Sequence, residues 1–305
     1  MKIGIIDLDT SHPAAWIPIL REMGHEIEGV FDGGSIHPRE YVKDFTVEHR
    51  IPKLYESLPQ MAAEVDCAII HGCDWDTHVE KARHFVEAGK SILIDKPFAG
   101  NLADLRQICD WVAQGARITG GSALRFCKEL RDWFALPISE RGMPHTALSG
   151  CAVDDFNYGI HAYSLLIEAM GSGIHSVRHL GEGVQRRIQI QWNDGRMGFL
   201  AIGQQQKWLP FHLSVITEQT VAHFKPDPLA LYKAILEATL PYLARQSDLP
   251  PISPDSLVEP ELAALATRQS WLNGDSMVLL NELDDAQRYD GAAFAKTYRE
   301  AKYGK

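Results

Sequence analysis

Lys2-Ile3-Gly4-Ile5-Ile6-Asp7-Leu8-Asp9-Thr10-Ser11-His12 is the stretch on which the reading of the chain turns. Lys2–Ile6 is a continuous apolar run that stops at an acid, the pattern of a strand buried on both faces, as parallel sheets require. Trp16, Ile19, Leu20 and Met23 then fall on one helix face and Gly24 supplies a stop; Pro18 asks for a late start or a kink. The same alternation repeats downstream. Glu26–Phe31 reads as a strand closed by Asp32-Gly33-Gly34, and Asp66–Ile70 as another, followed by a helix marked by Val79, Ala82, Phe85 and Val86. Ser91–Asp95 is a further strand, and Asn101 caps a helix that turns Leu102, Leu105, Ile108 and Val112 inward. Repeated strand–helix units of this length predict an α/β, Rossmann-like, doubly wound parallel sheet over residues 1–123.

From residue 124 to 305 the grammar changes. Val184, Arg186, Ile188, Ile190 and Trp192 alternate with Gln185, Arg187, Gln189 and Gln191, as in a strand with one wet face. Asn193-Asp194-Gly195 turns the chain into Met197–Ile202, and Phe211–Thr217 and Thr220–Phe224 add strands. Asp227-Pro228 starts a long helix bearing Leu229, Leu236, Leu240 and Leu243, and a proline-rich connector leads to a helix ending at Asn273-Gly274. This half is expected to be an α+β domain with an open, mainly antiparallel sheet. The methionines and tryptophans read as core packing throughout.

The 305 residues carry 30 Lys+Arg against 40 Asp+Glu, a net charge of −10, which argues against a nucleic-acid partner because phosphate binding needs a basic surface. No apolar run approaches the roughly 18 residues of a membrane span. Five cysteines without a Cys-x-x-Cys pair suggest reduced thiols and a cytoplasmic setting. A nucleotide-binding Rossmann half normally places Gly-x-Gly-x-x-Gly after its first strand, so that the backbone approaches a pyrophosphate. Here Asp7, Asp9 and His12 fill the three glycine slots. Each close pairing of a carboxylate with a phosphate costs about 1–4 kcal/mol, unless His12 or a shifted loop compensates. Asp9, Thr10 or Ser11 as a plain helix cap is the simpler reading. Asp32, at the end of the second strand, stands where NAD enzymes hold the adenosine ribose.

Asp95-Lys96-Pro97 resembles the Glu-Lys-Pro segment of the Gfo/Idh/MocA oxidoreductases. His71–His78, ending in Asp76-Thr77-His78, is similar to that family's Thr-Pro-Asn-x-x-His loop, and Leu124-Arg125-Phe126 to its Arg-Phe element. Asn157-Tyr158-Gly159-Ile160-His161 resembles its Asp-x-Gly-x-His helix. The elements occur in order between residue 2 and about residue 281. The resemblance implies NAD-dependent, or NADP-dependent, hydride transfer with a sugar, cyclitol or related polyol, in a homodimer or homotetramer. It implies catalytic roles for Lys96, His161 and Asn157, and a cofactor site drawn from Asp9, Thr10, Ser11, His12, Asp32, Asp76, His78, Lys96 and Pro97.

Physical chemistry supports part of that assignment. A lysine at the end of a parallel strand faces the ligand crevice and stabilises a developing alkoxide. An imidazole such as His161 titrates near neutrality and takes the hydroxyl proton. Asn157, four residues earlier on an expected shared helix face, orients that ring but lacks the charge of aspartate; Asp154 is an alternative partner if the helix reaches it. Arg125, His145, Asp154, Asp155 and Tyr158 are candidate substrate contacts. His71, Cys73, Asp74, Asp76 and His78, with His12, form a dense set of metal-ligand types at no standard metal spacing, so no metal is assigned. Two rivals stand beside the dehydrogenase: a redox-inactive sugar-binding or regulatory protein, and a metal-assisted lyase, isomerase or hydrolase.

Overall fold

The computed structural model describes residues 1–205 and 207–304. They form two compact units. The first comprises Met1–Gly121 with two returning segments, Leu236–Pro254 and Asp290–Lys305; the second comprises Ser122–Ile235 and Asp255–Tyr289.

In the first unit, β1 (Lys2–Ile6) leads to α1 (His12–Glu22), β2 (Glu26–Phe31), α2 (Arg39–Glu48) and α3 (Leu58–Glu64). Then follow β3 (Cys67–Ile70), α4 (His78–Glu87), β4 (Ser91–Asp95), α5 (Leu102–Ala113) and β5 (Ile118–Gly121). All neighbouring strands pair in parallel, in the order β2-β1-β3-β4-β5. β1, β3 and β4 are buried almost throughout, which is why they read as unbroken apolar runs. Helix α1 runs unbroken through Pro18, and Asn101 caps α5 by accepting from the Asp104 amide at 2.9 Å. The order reverses between β1 and β3, so the crevice outside the carboxyl ends of the strands opens there.

The second unit begins with α6 (Lys128–Ala135), the short α7 (Ile138–Arg141), β6 (Pro144–Cys151) and α8 (Gly159–Met170). Strands β7 (Ile174–Glu182), β8 (Arg186–Trp192), β9 (Met197–Ile202), β10 (His212–Thr217) and β11 (Val221–Phe224) follow. The start of α9 (Leu231–Leu243), α10 (Glu259–Leu272) and β12 (Val278–Leu279) complete this unit, while the rest of α9 and α11 (Gly291–Tyr303) belong to the first. The seven-stranded sheet runs β11-β10-β6-β9-β8-β7-β12 and is antiparallel except for the β6–β9 pair. The expected β8 alternation is observed: Ile188, Ile190 and Trp192 are buried, with α8 and α10 packed on the sheet.

The sequence reading puts one boundary at residue 123. The chain instead crosses back twice, and local chemistry explains both returns. Arg117 donates to the Tyr242 and Ser247 carbonyls, and Ser91 Oγ donates to the Leu243 carbonyl, which fixes the end of α9 on the first unit. Helix α11 returns through an apolar contact of Ala295 with Ile36 and Cys73. The reading of tryptophan and methionine as core fails at Trp208, Trp271, Met143 and Met277, which are exposed.

Candidate active site

The β1–α1 loop is built from carboxylates that take other loops' amides. Asp7 adopts φ +63, the left-handed conformation that a glycine would otherwise supply. Its Oδ2 pairs with Lys81 Nζ of α4 at 2.5 Å, and its Oδ1 accepts from the Gly33 amide at 3.0 Å. Asp9 Oδ2 accepts from the Cys73 amide at 2.7 Å, while its Oδ1 is buried without a partner. Burial, and then the charge of Asp7, push the Asp9 carboxyl up to about 7. Asp32 accepts from the Leu8 amide at 2.9 Å and the Gly34 amide at 2.8 Å; burial and Asp7 raise its carboxyl too. The Leu8, Gly33, Gly34 and Cys73 amides are thus all held by the protein's own acids.

The start of α1 has lost donors as well. Thr10 Oγ1 accepts the His12 amide at 3.1 Å, Pro13 has no amide hydrogen, and Ser11 makes no side-chain cap. The carboxylate repulsion expected from sequence is therefore largely relieved, because Lys81 neutralises Asp7 and Asp9 is half protonated near neutral pH. The amide cradle that a pyrophosphate needs is nevertheless occupied. In this conformation the residues present do not fit the phosphate half of a dinucleotide.

At β4 the arrangement differs. Asp95 accepts from the Lys96 amide at 2.8 Å, from His71 Nδ1 at 2.9 Å and from His12 Nδ1. Burial alone would raise this carboxyl, but the His12 charge and the bonds from both imidazoles hold it well below the usual range. Burial lowers the His71 imidazole, against the pull of Asp95. These are the one His/Cys/Asp/Glu group of metal-binding size among the described residues, and their closeness is that of a His–Asp–His hydrogen-bonded chain. The loop set considered from sequence does not converge. Cys73 is buried and pushed up to about 12, by burial and by Asp9, Asp74 caps the Asp76 amide, and Asp76 accepts from the Gly291 amide at 3.0 Å. His78 is buried with its ring nitrogens against the Gly72 and Phe98 carbonyls at 3.0 and 3.1 Å, so neither it nor Asp76 presents itself to a cofactor as expected. Lys96, almost fully buried, and Pro97 close β4.

In the second unit, His161 Nδ1 lies 2.7 Å from Ser122 Oγ, whose oxygen also accepts the Leu124 amide. Asn157 is not on the helix face assigned to it: it sits in the turn before α8, which begins at Gly159. Asp154 Oδ1 holds that turn, accepting from the Phe156 and Tyr158 amides at 3.0 and 2.8 Å. Arg125 is a structural tie rather than a substrate contact. Buried, it donates to Glu168 at 2.8 Å and to the Ser256 carbonyl and hydroxyl at 2.8 and 2.6 Å. Asp155 pairs with Arg186, and His145 with Thr146 Oγ1 at 3.0 Å. Tyr158 does stand by His161, with ring centroids 5.8 Å apart. Sequence reasoning missed Ser122, Lys81 and the aromatic wall that Phe211 and exposed Trp208 add around His161. The signal for Lys81 was available: a lysine among Val79, Ala82 and Phe85, the inner residues of α4.

A parallel sheet with a ligand crevice at its switch point, joined in one chain to a second, mainly antiparallel sheet, defines a Rossmann-type protein of oxidoreductase architecture. Residues 1–119 match the Gfo/Idh/MocA family model, described as oxidoreductase family, NAD-binding Rossmann fold. The chain is 27% identical over 115 residues to "Putative oxidoreductase YceM" of Salmonella typhimurium; the match spans 37% of this chain and 36% of that relative, about a third of its length. Among solved structures, a probable dehydrogenase from Thermotoga maritima superimposes with a TM-score of 0.80 at 14% identity, covering 93% of this chain and 100% of that one. The scyllo-inositol dehydrogenase of Lactobacillus casei, solved with NAD(H) and scyllo-inositol, gives 0.76 at 15%, covering 92% and 99%. UDP-N-acetylglucosamine 3-dehydrogenase GnnA from Acidithiobacillus ferrooxidans gives 0.74 at 15%, covering 88% and 97%. At these identities the likeness is one of fold.

Proposed function

We propose that this protein is a nicotinamide-dependent oxidoreductase acting on a hydroxyl or carbonyl of a polyol, cyclitol or sugar. The observation that carries the reading is Lys96, set at the carboxyl end of β4 directly after an acid that two imidazoles hold ionised. Lys96 is assigned to the reacting oxygen, where an ammonium favours the alkoxide form. His161, held by Ser122, is assigned to the proton, and Tyr158, Phe211 and Trp208 offer apolar faces to ring C–H groups. NAD is the cofactor, in keeping with the NAD-binding description of the family model that residues 1–119 match, with NADP the lesser alternative. The setting is cytoplasmic, consistent with five free cysteines, and the assembly a homodimer or homotetramer. Among the described residues, no helix is long and apolar enough to cross a membrane.

The test is a panel of cyclitols and sugars assayed by NADH and NADPH absorbance, with Lys96→Met as control. Turnover by the wild type and a loss of about a thousandfold or more in the variant is expected. A folded protein that turns over none of the panel, or a variant that keeps its activity, overturns the reading. One observation favours a second reading, a sugar-binding protein without redox chemistry: the amides around Asp7, Asp9 and Asp32 are already taken. Calorimetric binding of a panel sugar, with no saturable NADH or NADPH signal below about a millimolar, would select it.

A further inference from the structure

Helix α11 lies across the crevice at the switch point of the first unit. Its first residue meets the loop after β3: the Gly291 amide donates to Asp76 Oδ2, and a Cβ at Gly291 would stand 2.8 Å from Asp74 Oδ1 and the Trp75 and Asp76 amides. Its middle buries Ala295 between Ile36, from the loop after β2, and Cys73, from the loop after β3; Phe294 packs against Trp75 with the rings tilted and their centroids 5.0 Å apart. Its last turns reach the loops after β2 and β1. Arg299 donates to the Gly34 carbonyl at 3.3 Å, Tyr303 Oη lies 2.5 Å from His37 Nδ1, and Lys302 Nζ lies 3.1 Å from His37 Nε2 and 3.5 Å from the Asp9 carbonyl.

Those three loops are the ones a dinucleotide uses. Its pyrophosphate meets the turn after the first strand, its adenosine ribose meets the acid after the second, and the ligand enters at the switch point. Apolar packing of Ala295 and Phe294 and the cations of Arg299 and Lys302 hold the same ground. Resting on the oxidoreductase reading, we infer that α11 is a built-in strap over the adenosine half of the cofactor crevice, and that a nicotinamide dinucleotide binds only as the strap lifts. The protein's own carboxylates hold the amides of the same loops. A helix docked on the crevice lowers apparent cofactor affinity by the fraction of molecules in which it is lifted.

The experiment compares the full-length wild type with two variants, Arg299→Ala/Lys302→Ala and Gly291→Val. The first removes the cations; the second forces a side chain into the loop after β3. NADH binding is followed by fluorescence transfer from tryptophan, and amide exchange of residues 291–303 is followed by mass spectrometry with and without NADH. We expect NADH to bind the variants at least tenfold more tightly, and saturating NADH to deprotect 291–303 in the wild type. Equal affinity in wild type and variants, with α11 still protected under saturating NADH, overturns the strap and leaves the oxidoreductase reading standing. Absence of NADH and NADPH binding in all three folded proteins overturns both. Should Gly291→Val fail to fold, the double variant and wild-type exchange decide alone.

Discussion

Asp7, Asp9, Asp32 and Asp95 in the first unit are each held by donors from another loop or helix, whereas His161 in the second unit is held by a neutral hydroxyl. The first arrangement ties the carboxyl edge of a parallel sheet together electrostatically. Opening that edge exposes a charge or breaks a buried pair, so its conformation resists change. The second fixes a ring's direction through a neutral hydroxyl. The contrast teaches that the loss of the glycine-rich loop is not a simple loss of function. It converts a ligand cradle into an internally satisfied lock.

The lock is broken most directly at Lys81→Met. The variant leaves Asp7 buried at positive φ with the Gly33 amide as its one remaining donor described above. Removing one partner of a buried pair costs about 3–5 kcal/mol. Urea denaturation is expected to show a loss of that size in the transition that reports the first unit. Restoring glycine at the other end, in Lys81→Met/Asp7→Gly, should recover most of it, because the strained acid and its orphaned charge leave together. A loss below about 1 kcal/mol in the single variant would mean that the pair does not hold the edge.

Asp9 sharpens the same comparison through pH. Its carboxyl releases a proton near 3.8 in the unfolded chain and near 7 when folded. Between those values the folded state binds more protons, so stability falls as pH rises from about 4 to 7 and levels off above. The penalty is on the order of 4 kcal/mol at pH 8. Asp9→Asn, which keeps an oxygen for the Cys73 amide, is expected to melt higher than the wild type at pH 8 and level with it near pH 4. Parallel melting curves across that range would remove Asp9 from the lock.

The fold was legible because its signals are local. Unbroken apolar runs in β1, β3 and β4 and the polar–apolar alternation of β8 state which faces are buried. The proposed site was legible only where a residue stands at the end of its own element, as Lys96 does after β4. Arg125 and Asp154 carry side chains that suit a sugar, but whether their hydrogen-bonding capacity is free depends on Ser256 and on the turn before α8, which one-dimensional pattern does not reveal. The same holds for α11, whose meeting with Ile36 and Cys73 joins residues more than 200 positions apart.

The smallest expected effect concerns Ser122, and it tests the other side of the comparison. If the hydroxyl only aligns the His161 ring, Ser122→Ala lowers kcat by about tenfold, within the usual range for a positioning contact, and leaves the imidazole's titration where it was. Ser122→Asp brings the carboxylate chemistry of the first unit to the second. A negative charge at hydrogen-bond distance stabilises the imidazolium, so the His161 resonance in NMR should titrate about one pH unit or more higher, and the acid limb of the kcat/KM profile should follow it. Both readouts are needed, since a merely structural serine would change stability in either variant but would not move a titration. An unmoved His161 titration in Ser122→Asp, with the fold intact, would show that the hydroxyl does not set this ring's environment and that the contrast between charged and neutral tethers has no functional content.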